Sequence, residues 1–257
     1  MQQIHAAIVL LIVVIFIFIP TMGLKEVRDS NQNIKQALNL STRVIGNCVD
    51  HSKINFTELA RGYKRDARIP IEVDRQRLLL EFYQLLNKNS LSESKFKSIK
   101  DKLLIKVVVY YDKFFVADKN DSWSPPYYFS WNTGSELIYL NTQDDTAAYY
   151  DASGNMQYNR TIASCGINDE QKNDRIIRQL NSVISQYTSE MLVREKGLKI
   201  EIQNPARNDP EYKLSKSYFS VLDGVTFFVV YAENPRMVVN SRDITYQNYN
   251  VVGYTVE

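Results

Sequence analysis

The sequence has few of the residues that most catalytic and metal-binding sites require. Its 257 residues include only two histidines and two cysteines, so ligands for zinc or iron and imidazole bases are scarce. Glycine and proline, at 9 and 7 residues, are too few for a collagen-like, proline-rich or flexible-linker chain. A net charge of +2 provides no basic footprint for nucleic acid. We therefore expect no enzyme, no cofactor, no metal and no nucleic-acid partner.

Charge is also absent from the start of the chain, where Lys25 is the first charged residue. Before it, 17 of the 21 residues from 4 to 24 are apolar. A helix needs about 20 such residues to cross the hydrocarbon core of a bilayer. We predict that residues 1–24 form a transmembrane anchor that contacts membrane lipid through residues 4–24. The alternative is a signal peptide cleaved after Gly23, although Met1–Ala7 lacks the lysine or arginine that such peptides carry.

The side of the membrane on which the rest of the chain lies depends on opposing signals. Lys25, Arg28 and Lys35 follow the apolar run, and the positive-inside rule would keep such a flank in the cytoplasm. Long domains, however, are translocated largely regardless of flanking charge, and two cysteines permit one disulfide. We expect a single-pass membrane protein whose C-terminal body lies outside the cytoplasm.

The remaining chain predicts an α+β fold in two further parts. Residues 25–50 have helical spacing, which indicates either a stalk continuing from the membrane or an amphipathic juxtamembrane helix packed on the body. Residues 51–257 predict a single extracytoplasmic body, in which a mostly antiparallel sheet packs against a long helix over Asn168–Lys196. Asp74 is a predicted N-cap for a second helix. The predicted strands are Leu103–Tyr111, Phe114–Ala117, Tyr127–Trp131, Leu137–Leu140, Ala147–Tyr150, Met156–Ile162, Leu198–Ile202, Tyr218–Leu222, Val225–Tyr231, Met237–Val239 and Val251–Val256.

Both tryptophans lie in one aromatic segment that ends at Trp131. Trp123, Tyr127 and Tyr128 are a candidate contact face for a ligand or a protein, because exposed aromatic side chains are common in interfaces. The alternative is a core strand preceded by a rigid Pro-Pro turn. If the segment is one strand, its alternation places Phe129 and Trp131 on a core face and Tyr128 in solvent.

The two cysteines are the next candidates for chemistry. Cys48 and Cys165 could form a disulfide, which would close a long loop, or they could be free thiols. A nucleophilic role for Cys165 would require an activating base, and the only histidine in the body is His51.

A short acidic segment, Asp118–Ser122, begins like a calcium-binding loop. It lacks the turn glycine and the terminal bidentate glutamate of an EF-hand. We therefore predict a solvated loop between strands at this position and not a metal site.

Four segments in the first third of the chain follow a recognisable layout. An apolar helix is followed by the amphipathic continuation Gln36–Val44, then by the extended segment Ile71–Asp74, then by a helix over Leu78–Leu86. In this order, residues 1–90 resemble TadE-like pseudopilins, the minor single-pass proteins of tight-adherence pilus assembly systems. The resemblance implies that the apolar helix packs against other membrane or pilus-like proteins and that the body is presented outside. We therefore expect a surface-facing structural or assembly protein of a pilus or secretion system; the alternative is an anchored binding module with an aromatic contact face.

Overall fold

The computed structural model describes most of the body and not the predicted anchor. The described residues are 29–49, 72–132, 134, 136–143, 145–150, 156–192, 221–222, 224–233, 236–239, 242–245 and 248–256. Within these ranges no helix combines the length and apolar character that crossing a bilayer requires. The predicted anchor over residues 4–24 and the predicted strand Leu198–Ile202 lie outside the described residues.

The helices begin and end where the local sequence favours it. The Asp74 side chain accepts hydrogen bonds from the backbone N–H groups of Gln76 and Arg77 at 3.1 and 3.0 Å, so it is the N-cap that the sequence predicts. Ser92 caps the following helix in the same way, by accepting from Lys95 N. The helices are residues 29–42 (α1), Ile45–Cys48 (α2), Arg75–Asn89 (α3), Glu93–Lys102 (α4) and Asp169–Leu192 (α5), and a short 3₁₀ turn covers Ala163–Cys165.

The strands form two antiparallel sheets and a hairpin. Within the described residues the first sheet has the order β11-β8-β1-β2-β3, the second has the order β4-β5-β6-β7, and β9 pairs with β10. Together with the helices, these sheets confirm the predicted α+β class. The strands are Leu103–Val109 (β1), Lys113–Ala117 (β2), Tyr127–Tyr128 (β3), Ser130–Asn132 (β4), Leu137–Asn141 (β5), Thr146–Tyr150 (β6), Met156–Thr161 (β7), Val225–Glu233 (β8), Arg236–Val239 (β9), Arg242–Thr245 (β10) and Asn248–Val256 (β11).

The five-stranded sheet is covered on both faces, which explains why β1 is an almost uninterrupted apolar run. On one face, which we call the helical face, Val108 and Phe227 pack with side chains of α1 to α4. On the other, which we call the α5 face, Ile105 and Val107 pack with Leu180 of α5 and with the second sheet. The described part of the chain therefore has three layers, with the first sheet in the middle.

The segment after the predicted anchor is packed on this body. Ile34, Leu38 and Ile45 are at most 8% exposed and belong to the core of the helical face. Helical structure is interrupted at residues 43–44, so the helix predicted within residues 25–50 is not continuous. Of the two alternatives, residues 29–49 therefore adopt the amphipathic packed form and not a free stalk.

The aromatic segment was predicted as a single strand, and the structure shows two short strands, β3 and β4. It divides at Phe129, with β3 paired to β2 and β4 paired to β5. The N–H of Phe129 donates to the carbonyl oxygen of Asp112 at 2.9 Å, and its own carbonyl accepts from the N–H of Leu140 at 2.9 Å. The chain thus passes from the first sheet to the second at this residue, because each half finds a different partner strand.

Candidate functional site

Helix α5 begins with a reciprocal cap. Asn168 Oδ1 accepts from the N–H of Gln171 at 2.8 Å, and Gln171 Oε1 accepts from the N–H of Asn168 at 3.0 Å. The carboxylates of Asp169 and Glu170 lie in the first turn, where they complement the helix dipole. These contacts fix the residue at which α5 begins.

Polar side chains of α5 complete the backbone pairing of β4. Arg175 Nε donates to the carbonyl oxygen of Ser130 at 2.9 Å, and the N–H of Ser130 donates to Gln179 Oε1 at 3.0 Å. Gln179 Nε2 also lies 3.3 Å from Ser130 Oγ. Two helix side chains therefore satisfy the backbone groups of Ser130, which holds α5 and β4 at a fixed separation.

A groove of about 300 Å³ lies between α5 and β4. Strand β4 supplies an indole ring and one amide to its walls. Helix α5 supplies a second amide, a carboxylate and two guanidinium groups. Arg178 points into solvent with 78% of its side chain exposed, and its Nη2 lies 4.0 Å from Asp174 Oδ2. The groove can therefore offer hydrogen-bond donors and acceptors beside a flat aromatic surface. The lining residues are Trp131, Asn132, Gln171, Asp174, Arg175 and Arg178.

Sequence reasoning missed this groove, although the signal was present. Gln171, Asp174, Arg175 and Arg178 have the spacing i, i+3, i+4 and i+7, which places them in one stripe along a helix. The helix itself is present as predicted, over Asp169–Leu192. Trp131, predicted as a core residue, is half-buried at the wall of the groove.

The three residues of the predicted contact face do not share one surface. Trp123 packs against the core of the helical face, whereas Tyr127 packs against the core of the α5 face, where its ring stacks on Phe114. Tyr128 is 41% exposed, and Phe129 is 1% exposed. The predictions that Phe129 lies in the core and that Tyr128 faces solvent are confirmed. The structure does not bring Trp123 and Tyr128 together as a face.

Trp123 instead makes a cation–π contact with Arg75, which also lies over the ring of Phe115. The guanidinium carbon of Arg75 lies 3.6 Å from the ring centroid of Phe115 and 5.9 Å from that of Trp123. Arg75 Nη1 and Trp123 Nε1 are buried, and neither has a hydrogen-bond partner within the part of the chain that is described. The indole of Trp123 therefore contributes to packing against α3.

A buried lysine holds the acidic loop after β2. Lys106 is completely buried, and its Nζ lies 2.6 Å from Asp121 Oδ1 and 2.8 Å from the carbonyl oxygen of Asp118. The hydroxyl of Tyr83 donates to the same carboxylate oxygen at 2.8 Å. Burial lowers the pKa of Lys106, and the contact with Asp121 opposes that change. Burial and the bond to Asp121 raise the pKa of Tyr83.

The ammonium group of Lys106 therefore occupies the inner side of the loop over Asp118–Ser122. Asp118 Oδ1 accepts from the N–H groups of Asn120 and Ser122 at 2.8 and 2.9 Å, which closes the loop on itself. The positive charge of Lys106 offsets the negative charge of the Asp121 carboxylate. The predicted solvated loop holds for Lys119, Asn120 and Ser122, which are exposed, whereas Asp121 is only 29% exposed. Among the described residues no group of three or more His, Cys, Asp or Glu side chains is placed to hold a metal.

The cysteines are free and far apart in the fold. Cys48 lies in the core of the helical face, and Cys165 packs at the margin of the α5 face, so the first sheet separates them. The disulfide that we considered between them is not formed. Burial raises the pKa of the Cys48 thiol to about 11, with the carboxylate of Glu81 adding to the effect. Cys48 is therefore an inert core thiol at neutral pH.

Comparison with known proteins found no relative of this chain. No protein-family model matches the chain. No match was found among curated proteins or among solved structures. Function must therefore be argued from the chain's own sequence and geometry.

Proposed function

We propose that this protein is a membrane-anchored structural or assembly protein of a surface appendage or secretion system, as its resemblance to TadE-like pseudopilins implies. The observation that carries the proposal is the closeness of the apolar run to the folded body. The run ends at Leu24, and residue 29 already belongs to α1, whose apolar side is part of the core. Residues 25–28 are the only connection between the two.

Such a short connection restricts where the body can lie. Four residues span at most about 14 Å when fully extended. A bilayer-spanning segment over residues 4–24 would therefore keep the body against the membrane surface. The apolar residues of that segment would be free to pack laterally against the membrane helices of other subunits. This is the arrangement expected of a subunit that assembles in the plane of the membrane.

Membrane extraction tests the anchor on which the proposal depends. After an alkaline carbonate wash, the full chain should stay in the membrane pellet. Val13→Arg with Phe16→Arg should move it to the supernatant, because each arginine near the centre of a span costs roughly 2.5–3.5 kcal/mol on the insertion scale. Arginines at Leu40 and Leu80, which are 48% and 60% exposed in the body, are the matched control and should leave it in the pellet. Release of the parent chain by carbonate would contradict the anchor.

Assembly itself requires a second measurement. Brief chemical cross-linking of membranes from the native host should capture the full chain in products larger than a monomer. The span variant should lose those products, while the control variant keeps them. A parent chain that stays in the pellet but yields only monomer would retain the anchor and refute the assembly role.

A second candidate is an anchored binding module, which the groove between α5 and β4 favours. A sugar ring presents a flat C–H face to an indole and hydroxyl groups that both donate and accept hydrogen bonds. Trp131, Asp174 and Arg178 line the groove and supply groups of this kind, so we propose a saccharide as its ligand.

Tryptophan fluorescence tests this second candidate. In a Trp123→Phe background, Trp131 is the single tryptophan and reports on the groove. Titration with soluble oligosaccharides should shift its emission, and Arg178→Ala should weaken the response. A panel of neutral and acidic oligosaccharides that leaves the emission unchanged would remove the groove as a saccharide site.

A further inference from the structure

A lysine amine and a carboxyl group are held in contact inside the fold. Lys106 Nζ lies 2.6 Å from Asp121 Oδ1, and the side chain of Lys106 is completely buried. Lys106 belongs to β1 and Asp121 to the loop after β2, so the pairing of these two strands brings them together. An amine and a carboxyl group can condense to an amide and water, and a site that holds them together and excludes solvent favours that step. The contact is therefore a candidate for a covalent bond.

Burial favours the reactive form of the amine. An ammonium has no lone pair, so its nitrogen can attack a carboxyl carbon only after it loses a proton. Burial lowers the pKa of Lys106, although the contact with Asp121 opposes that change. Two charges in the interior also carry a desolvation cost, whereas an amide is neutral. Condensation would therefore remove a charge that the fold must otherwise compensate.

Two neighbours orient the reacting groups. The hydroxyl of Tyr83 donates to Asp121 Oδ1 at 2.8 Å, where it can stabilise the negative charge that develops on this oxygen during attack. Burial and the bond to Asp121 raise the pKa of Tyr83, so the phenol remains a donor. The carbonyl oxygen of Asp118 accepts from Lys106 Nζ at 2.8 Å and holds the nitrogen beside the carboxyl group. Because Asp121 is 29% exposed, a water molecule formed there can leave to solvent.

We propose that Lys106 and Asp121 form an intramolecular isopeptide bond that links β1 to the loop after β2. One ammonium proton passes to the carboxylate, which gives a neutral amine and a carboxylic acid. The nitrogen attacks Cγ of Asp121 and forms the new C–N bond. The C–O bond to the oxygen that Tyr83 does not hold then breaks, and this oxygen leaves as water with a second proton from the nitrogen. The step needs no oxidant or co-reactant, and the ion pair is the state before reaction.

A second lysine provides an internal control. Lys172 Nζ lies 2.9 Å from Asp145 Oδ1 and 2.7 Å from Asp169 Oδ1, distances similar to that of the proposed bond. The two carboxylates are 51% and 85% exposed, however, so solvent stabilises their charges. We therefore expect the contacts of Lys172 to remain ion pairs.

Tryptic mapping of the purified full chain after denaturation tests the bond. Trypsin requires a charged lysine and does not cleave after one that is acylated. Residues 103–113 should therefore stay uncut at Lys106 and be recovered joined to residues 120–160, with a mass one water below the sum of the two peptides. Cleavage after Lys172 should be normal. Asp121→Ala should lose the branched peptide and restore cleavage after Lys106. Complete cleavage after Lys106 in the parent chain, with no branched peptide, would overturn the proposal.

Substitution of Tyr83 tests how the bond forms. Tyr83→Phe removes only the hydroxyl group and should lower the cross-linked fraction several-fold in chains purified at a fixed early time after synthesis. Tyr128→Phe, at an exposed site, should leave that fraction unchanged. Near-ultraviolet circular dichroism confirms that both variants are folded. Equal fractions in the two variants would overturn the role of Tyr83, and a branched peptide that joins Lys106 to another carboxyl group would overturn the pairing with Asp121.

Discussion

Lys106 stands out at the scale of single residues because it is a charge inside an apolar strand. The sequence of β1, LLIKVVV, has one polar residue, and its side chain is completely buried. Desolvation of an ammonium is expensive unless a carboxylate and hydrogen bonds compensate. Asp121, Tyr83 and the carbonyl of Asp118 supply that compensation and connect β1, α3 and the loop after β2.

Removing either member of this pair should destabilise the protein unequally. Asp121→Asn leaves a buried ammonium without its counter-charge and should lower the free energy of unfolding by about 3–5 kcal/mol. Lys106→Met leaves Asp121, which can still be hydrated because it is 29% exposed, and should cost less. Urea denaturation of the purified full chain measures both. If Lys106→Met is the more harmful change, the loop does not depend on the pair as we describe.

The two thiols should differ in reactivity at pH 8. Cys165 is half-buried and free, so iodoacetamide should modify it in the folded chain. Cys48 should react only after denaturation, because its pKa of about 11 keeps it protonated and the core shields it. The raised pKa also means that its contribution to stability, present below pH 9, should decline as pH rises towards 11. Mass spectrometry of alkylated peptides gives the result. Two cysteines that react only after reduction would show that the disulfide exists.

At the scale of elements, the crossing at Phe129 joins the two sheets. Its ring stacks on Phe114 at a centroid distance of 5.6 Å, while its backbone bonds to one sheet on each side. Tyr128 points the other way, where its ring centroid lies 6.1 Å from that of Tyr139 and 5.9 Å from Lys113 Nζ. Adjacent residues of one segment therefore have opposite roles in stability.

Alanine substitution should separate these two roles. Phe129→Ala removes a fully buried ring and should cost about 3–5 kcal/mol of unfolding free energy. Tyr128→Ala, at an exposed site, should change it by about 0.5 kcal/mol or less. Denaturation curves followed by circular dichroism make the comparison. Equal losses in the two variants would mean that the segment is oriented differently from the structure.

Local sequence was sufficient for elements whose signals are local. Asp74 was predicted as an N-cap and caps α3. The helix predicted over Asn168–Lys196 and the strand predicted over Leu103–Tyr111 begin within a residue of α5 and β1. The division at Phe129 could not be predicted in this way, because it depends on which distant strands pair with each half. The same applies to Lys106, whose partner Asp121 is brought near by the pairing of β1 with β2, and to the cysteines, which the sheet separates.

At the scale of the whole molecule, one short connection joins a candidate anchor to a three-layered body. Because α1 is part of the core of the helical face, a pull on the N-terminus would act directly on the sheet that carries β11. If the apolar run spans a membrane, the body would therefore be held near its surface. This arrangement suits a subunit that assembles laterally better than one that extends on a stalk.

Protease digestion of intact cells, after permeabilisation of any outer layer, tests the central claim of an anchored external body most directly. Residues 1–28 should remain in the membrane as a fragment of about 3 kDa, as expected for a single span with its flanks. The body should be degraded while a cytosolic marker stays intact. If the body is instead protected together with that marker, Lys25 and Arg28 act as inside signals and the account of an external body is contradicted.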